Sequence, residues 1–122
     1  MIGPTARMIC LVLTITCFLC PCQADDWPQW RGPDRADVSN EKGLLTEWPD
    51  GGPAALWLFQ EAGAGYAGPA VVGDRLYIMG SGETQEVLIA LATDSGRRVW
   101  TADIGAKYHN SWGDGPRGTP TV

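Results

Sequence analysis

Residues Gly68 to Gly105 read GPAVVGDRLYIMGSGETQEVLIALATDSGRRVWTADIG, and this stretch decides the fold. Short apolar runs alternate with turn residues, which is the pattern of small paired strands. Pro69 to Val72 and Arg75 to Met79 are separated only by Gly73-Asp74, a pair that supplies the positive φ of a tight hairpin turn. Val87 to Ala92 and Arg98 to Asp103 flank Thr93-Asp94-Ser95-Gly96-Arg97, where Asp bonds its own backbone and Gly takes the left-handed position. Two antiparallel hairpins, hence a four-stranded antiparallel unit, are predicted.

The alternation also shows what such a unit lacks. Leu76 and Ile78 fall on one face and Tyr77 and Met79 on the other, while Val87, Ile89 and Leu91 oppose Leu88, Ala90 and Ala92. A sheet apolar on both faces must be covered on both, as repeat units are by their neighbours. The chain does repeat. Trp57 and Trp100 lie about 43 residues apart, and the GAGY of Gly63 to Tyr66 returns as the GAKY of Gly105 to Tyr108 at about 42. GPAVV at Gly68 to Val72 is echoed by GTPTV at Gly118 to Val122, after an insertion of about nine residues. A period in the low forties with about four strands marks a β-propeller blade. The predicted fold is all-β: one complete four-stranded antiparallel blade plus two partial ones, the final strand of a preceding blade at Ala55 to Gln60 and the opening strand of a following one at Thr119 to Val122. A propeller takes typically four to eight blades, so the expectation is an N-terminal fragment of a longer protein.

Three segments precede or contain this unit. Residues 1–24 have the form of a signal peptide: Arg7, then the uncharged apolar run Met8 to Cys20, then small residues to Ala24, with the run too short to span a bilayer. The mature chain is then exported, periplasmic or extracellular, with no transmembrane span. All 4 cysteines, Cys10, Cys17, Cys20 and Cys22, fall within that leader, so no disulfide framework or cysteine metal site is expected beyond it. Leu19 and Pro21 precede Cys20 and Cys22 where lipidation would need a small residue. The chain has a net charge of −5, and loss of Arg7 makes it about −6. With its basic residues scattered, nucleic acid is excluded as a partner.

Residues 25–54 form an irregular lead-in carrying Trp27, Trp30 and Trp48 among prolines. These rings are too apolar for a solvated linker and are expected to pack on the first blade, with Arg31 lying on Trp30 or a neighbouring ring. Residues 55–122 form the partial repeat domain.

Ala90 to Trp100, ALATDSGRRVW, resembles the tryptophan-docking motif of pyrroloquinoline-quinone-like repeats, AxDxxTGxxxW: Ala90, Gly96 and Trp100 match, Ser95 stands for Thr and Ala92 for Asp. The lead-in DWPQWRGP likewise is similar to the start of exported proteins of this kind. The resemblance implies a structural role for Ala90, Gly96 and Trp100 in docking blades together. It also implies one of two functions. Some members are quinoprotein alcohol dehydrogenases that hold the quinone with calcium; others bind no cofactor and, like the propeller subunit of outer-membrane protein assembly, present surfaces to envelope proteins. The cysteine pair and acidic calcium cluster of the first class have no counterpart after the leader. A binding or assembly scaffold is the favoured expectation, with the dehydrogenase as alternative; quinone and calcium belong only to the alternative. Partners are then other blades of the same chain, envelope proteins or a small-molecule ligand.

The inserted segment Lys107 to Arg117, KYHNSWGDGPR, is the most function-like piece, since it gathers aromatic, imidazole, amide and cationic groups in one connection. Tyr108, His109, Trp112 and Arg117 are the candidate ligand- or partner-facing residues. His109 has no companions at metal-ligand spacing, so no metal is expected. Gly63 to Gly68 fits GxGxxG but leads into Pro69 and a strand rather than a helix, which excludes a phosphate cradle and leaves a flexible inter-blade loop as the expectation. No serine sits in a nucleophile elbow and no carboxylates form an acid–base pair, so catalytic residues are not assigned. Glu83 and Glu86 read as a solvated hairpin turn.

Overall fold

The computed structural model describes residues 24–122, and the segment read as an export signal, with its cysteines, lies outside the described residues. Among those described there is no helix. Four strands, β1 (Ala70–Val72), β2 (Arg75–Ser81), β3 (Gln85–Ala92) and β4 (Arg98–Ala106), form one antiparallel sheet in the order β1-β2-β3-β4.

Turn chemistry fixes the register. Gly73 takes φ of 55° and lets β1 fold back on β2, pairing Val72 with Arg75 and Val71 with Leu76. In the β3–β4 connection Gly96 takes φ of 65° and its N–H donates to Ala92 O at 2.8 Å, while Ala92 N–H donates to Arg97 O at 2.9 Å. The two hairpin turns lie side by side, joined by Thr93 N–H donating to Asp74 O at 3.1 Å. β3 and β4 pair with register shifts between Glu86 and Val87 and between Ala90 and Leu91. These shifts leave Val99 and Ile104 of β4 without opposite residues, so the outer strand carries two bulges.

Opposite pairs Leu76 and Leu91, and Ile78 and Ile89, build one apolar face; Tyr77 and Ala90, and Met79 and Leu88, build the other. β3, central and paired on both edges, supplies the core: Ile89, Ala90, Leu91 and Ala92 are buried, together with Ala70 of β1. The Tyr77 row continues across β4, where the Trp100 ring lies 5.9 Å from that of Tyr77 at 47°.

The first face is covered by the stretch before the sheet. Trp57 and Phe59 alternate inward while Leu56 and Leu58 stay exposed, and a cavity of about 230 Å³ remains between Trp57, Phe59, Ala62, Pro69, Ile78 and Leu91. Ala55 to Gln60, expected as a strand, joins no ladder, because the sheet offers it a face and not an edge. It is fastened at both ends. The Trp57 indole N–H donates to Thr93 O at 2.8 Å, and Arg98 pairs with Glu61 while its guanidinium carbon stands 5.4 Å from the Phe59 ring centre.

Gly63 to Gly68 is not the free loop expected from its glycines. Ala64 forms an antiparallel bridge with Ser81, whose hydroxyl donates to Ala64 O at 2.9 Å. A Cβ at Gly63 would overlap Ser81 O and one at Gly80 would overlap Ala62 O, so these glycines allow two backbones to touch. No helix among the described residues is long and apolar enough to cross a membrane.

Candidate functional site

The insertion Lys107 to Arg117 leaves the end of β4 and is held there by backbone and side-chain bonds. Lys107 N–H donates to Thr84 O at 2.9 Å, and Tyr108 N–H donates to a carboxylate oxygen of Glu86 at 3.2 Å. Glu86, expected to be a solvated turn residue, therefore anchors the loop. Asn110 folds the next turn: its carbonyl oxygens accept from Trp112 N–H at 2.8 Å and Gly113 N–H at 3.0 Å, and its amide donates to Tyr108 Oη at 2.7 Å. Gly115 N–H closes the loop on Tyr108 O at 3.0 Å.

Arg117 is the clasp. Its guanidinium carbon lies 5.1 Å from the Tyr66 ring centre and 5.4 Å from that of Tyr108, and it donates to Gly113 O at 2.9 Å. The cation is thus held by two aromatic faces and a loop carbonyl. Tyr66 in turn donates its N–H to Pro116 O at 2.8 Å and its ring packs over Gly113, where a Cβ would overlap the Tyr66 hydroxyl. Gly113 has φ of 124°, so glycine is required there for both reasons.

The sequence-derived residues are all placed in this loop, in different situations. Tyr108 and Arg117 are brought into contact. His109 Nδ1 lies 3.0 Å from Asp114 Oδ2, leaving Nε2 on the side away from that contact. Desolvation opposes ionisation of Asp114, but the bonds from the His109 ring and the Asn110 backbone N–H, with the positive fields of His109 and Lys107, outweigh it and hold the carboxyl below its ordinary value. Trp112 is 86% exposed, although its N–H donates to Asn110 Oδ1 at 2.8 Å and its carbonyl accepts from the Tyr66 hydroxyl at 3.4 Å. The loop thus leaves a large apolar ring in solvent rather than folding it into its own core.

Tyr66 and Asp114 were not picked out from the sequence. Tyr66 could have been, since the repeat aligns it with Tyr108; Asp114 carried no spacing signal. Of the residues expected to dock blades, Ala90 is buried in β3, and Gly96 lies directly under the indole of Trp57, where an added Cβ would stand 2.5 Å from Cε3 and 2.6 Å from Cδ2. Trp100, the repeat counterpart of Trp57, is 42% exposed and touches Tyr77 instead. Among the described residues no group of three or more His, Cys, Asp and Glu is arranged to hold a metal. Comparison with family models, curated proteins and solved structures gives no match.

Proposed function

We propose that this chain is the N-terminal part of an exported β-propeller of pyrroloquinoline-quinone-like repeats, acting as a binding or assembly scaffold in the cell envelope. The observation that carries the reading is the seat of Trp57. An indole from one repeat lies on Gly96 of the next and donates to Thr93 O, while Trp100, about one period later, has no such seat among the described residues. A second glycine hairpin, from a further repeat, fits it. The exposed Leu56 and Leu58 and the half-open Trp100 and Ile104 fit the same picture, since blades of a ring cover one another's faces.

On this scaffold Lys107 to Arg117 is the recognition surface. Tyr108 and Arg117 hold the loop's shape, and Trp112 and His109 are presented outward, which suits contact with a protein surface or a small ligand better than chemistry. His109 and Asp114 form a base-and-orienter pair, but among the described residues no nucleophilic hydroxyl is hydrogen-bonded to the His109 ring. Under the dehydrogenase alternative, quinone and calcium would be held by residues of other blades, because the described residues bring no carboxylate set together for calcium.

The test uses the full-length protein. A photo-reactive amino acid at position 112 should cross-link to an envelope component, whereas one at Ser95, exposed on the β3–β4 turn at the other end of the sheet, should not. Purified protein given quinone and calcium should reduce no dye with alcohols. Turnover would overturn the scaffold reading, as would equal cross-linking at both positions.

A further inference from the structure

The lead-in is more than a cover for the first blade. Trp27 exchanges both backbone bonds with Val71, N–H to O at 2.8 Å and O from N–H at 2.9 Å, on the edge of β1 that faces away from β2. Successive peptide groups of an extended chain face opposite sides. The carbonyl of Pro28 accordingly turns from β1, and it accepts from Val122 N–H at 3.0 Å. Val122 closes GTPTV, the repeat of Gly68 to Val72, so one extended segment lies between the leading strand of one repeat and its counterpart in the next. Proline suits that position, because the side toward Val122 requires an acceptor and Pro28 brings no donor to leave unmet.

The segment then doubles back as a self-tied hairpin. Asp26 carboxylate accepts from Gly73 N–H at 2.7 Å. Arg31 Nε donates to Asp37 at 2.6 Å, Arg35 donates twice to Gln29 Oε1 at 3.1 and 3.0 Å, and Gln29 Nε2 donates to Pro33 O at 2.9 Å. The Trp27 ring covers Gly32, where a Cβ would meet it at 2.8 Å. The return limb meets the incoming one where Asp25 N–H bonds to Glu41, with a cavity of about 170 Å³ between the limbs.

We infer that Asp26 to Asp37 is a built-in stopper, a hairpin that enters from the Gly73-Asp74 end and fills the axial channel between the leading strands of successive repeats. The inference rests on the propeller reading, in which leading strands line the central channel. It makes the axis a blind recess rather than a passage. A ligand or partner engaging Tyr108, His109 and Trp112 then meets a floor formed by the protein's own first residues after the leader.

The experiment joins amide hydrogen exchange to negative-stain imaging of the full-length protein. The unmodified protein should show a ring with no stain-filled centre and slow exchange at both Val71 and Val122. Deletion of residues 25–41 should keep the ring, open the centre and speed exchange at both amides about tenfold, the ratio expected from one net backbone bond. Should that deletion fail to fold, the paired substitution Arg31→Ala with Asp37→Ala loosens the hairpin and should speed the same two amides alone. A ring with a stain-filled centre in the unmodified protein overturns the stopper and leaves the propeller standing. So does exchange at Val71 and Val122 that neither variant changes. Particles without a ring remove both readings together.

Discussion

Replacing Gly96 by alanine probes the contact on which the repeat reading depends. Alanine at 96 must hold φ near 65°, which costs an L-residue about 1–2 kcal/mol. Its methyl would stand 2.5 Å from Cε3 of Trp57, so the indole has to lift from the turn. Lifting breaks the 2.8 Å bond to Thr93 O, worth about 0.5–1.5 kcal/mol, and returns part of the ring to water at about 1 kcal/mol. The narrower unfolded ensemble of alanine offsets roughly 0.4–1 kcal/mol. The expected net loss is about 2–3 kcal/mol, well above that of an ordinary surface change. Native-state hydrogen exchange at the Ala92 and Thr93 amides reads it as a local opening free energy. Made in a Trp57→Ala background, the same change should cost only the backbone part, about 0.5–1 kcal/mol, giving a coupling near 1.5–2 kcal/mol. A coupling below about 0.5 kcal/mol would mean independent sites and would refute the stacking argument.

Gly73→Ala supplies a contrast, since that glycine also has positive φ but nothing stands within 4 Å of its added Cβ; a loss of only about 0.5–1 kcal/mol is expected in the same exchange measurement. Arg117→Ala should free the loop, with faster exchange at the Tyr66 and Gly115 amides from loss of two ring contacts worth about 0.5–1 kcal/mol each. Arg117→Lys should recover less than half of the effect, because an ammonium cannot lie flat between the two rings. The Asp114 carboxyl is lowered in the folded chain, so its support of the loop is fully present above the ordinary carboxylate pKa and is lost as pH falls through the lowered value; the His109 ring resonances should report that acid transition, and Asp114→Asn should abolish it.

Local pattern carried the sheet a long way. Short apolar runs through Arg75 to Met79 and Val87 to Ala92, with Gly73-Asp74 between hairpin arms, placed four strands in order, and the observed strands run longer by Gly80 and Ser81 in β2, Gln85 and Glu86 in β3, and Ile104 to Ala106 in β4. Contacts made across the sequence were less legible. Gly63 and Gly65 suggest looseness until Ser81 is known to lie against Ala64. Trp27 sits among prolines with no period, yet it completes β1, because an edge bond requires only one residue in register and leaves no repeating trace. In the loop, residue type alone singled out Tyr108, His109, Trp112 and Arg117; the second ring on Arg117 and the carboxylate on His109 came from chain folding over Tyr66 and Asp114, which no spacing rule encodes.

The two bulges at Val99 and Ile104 have a bearing on how such a sheet avoids pairing with copies of itself. β4 leaves nine residues along one open margin of the sheet, and a flat margin of that length would template strands from other copies. Each bulge kinks and overtwists the strand, so an incoming segment would lose step with the donors and acceptors after a few residues. The irregularity that spoils the β3–β4 register thereby acts as a gatekeeper against intermolecular zippering, at little loss to the hairpin that carries it.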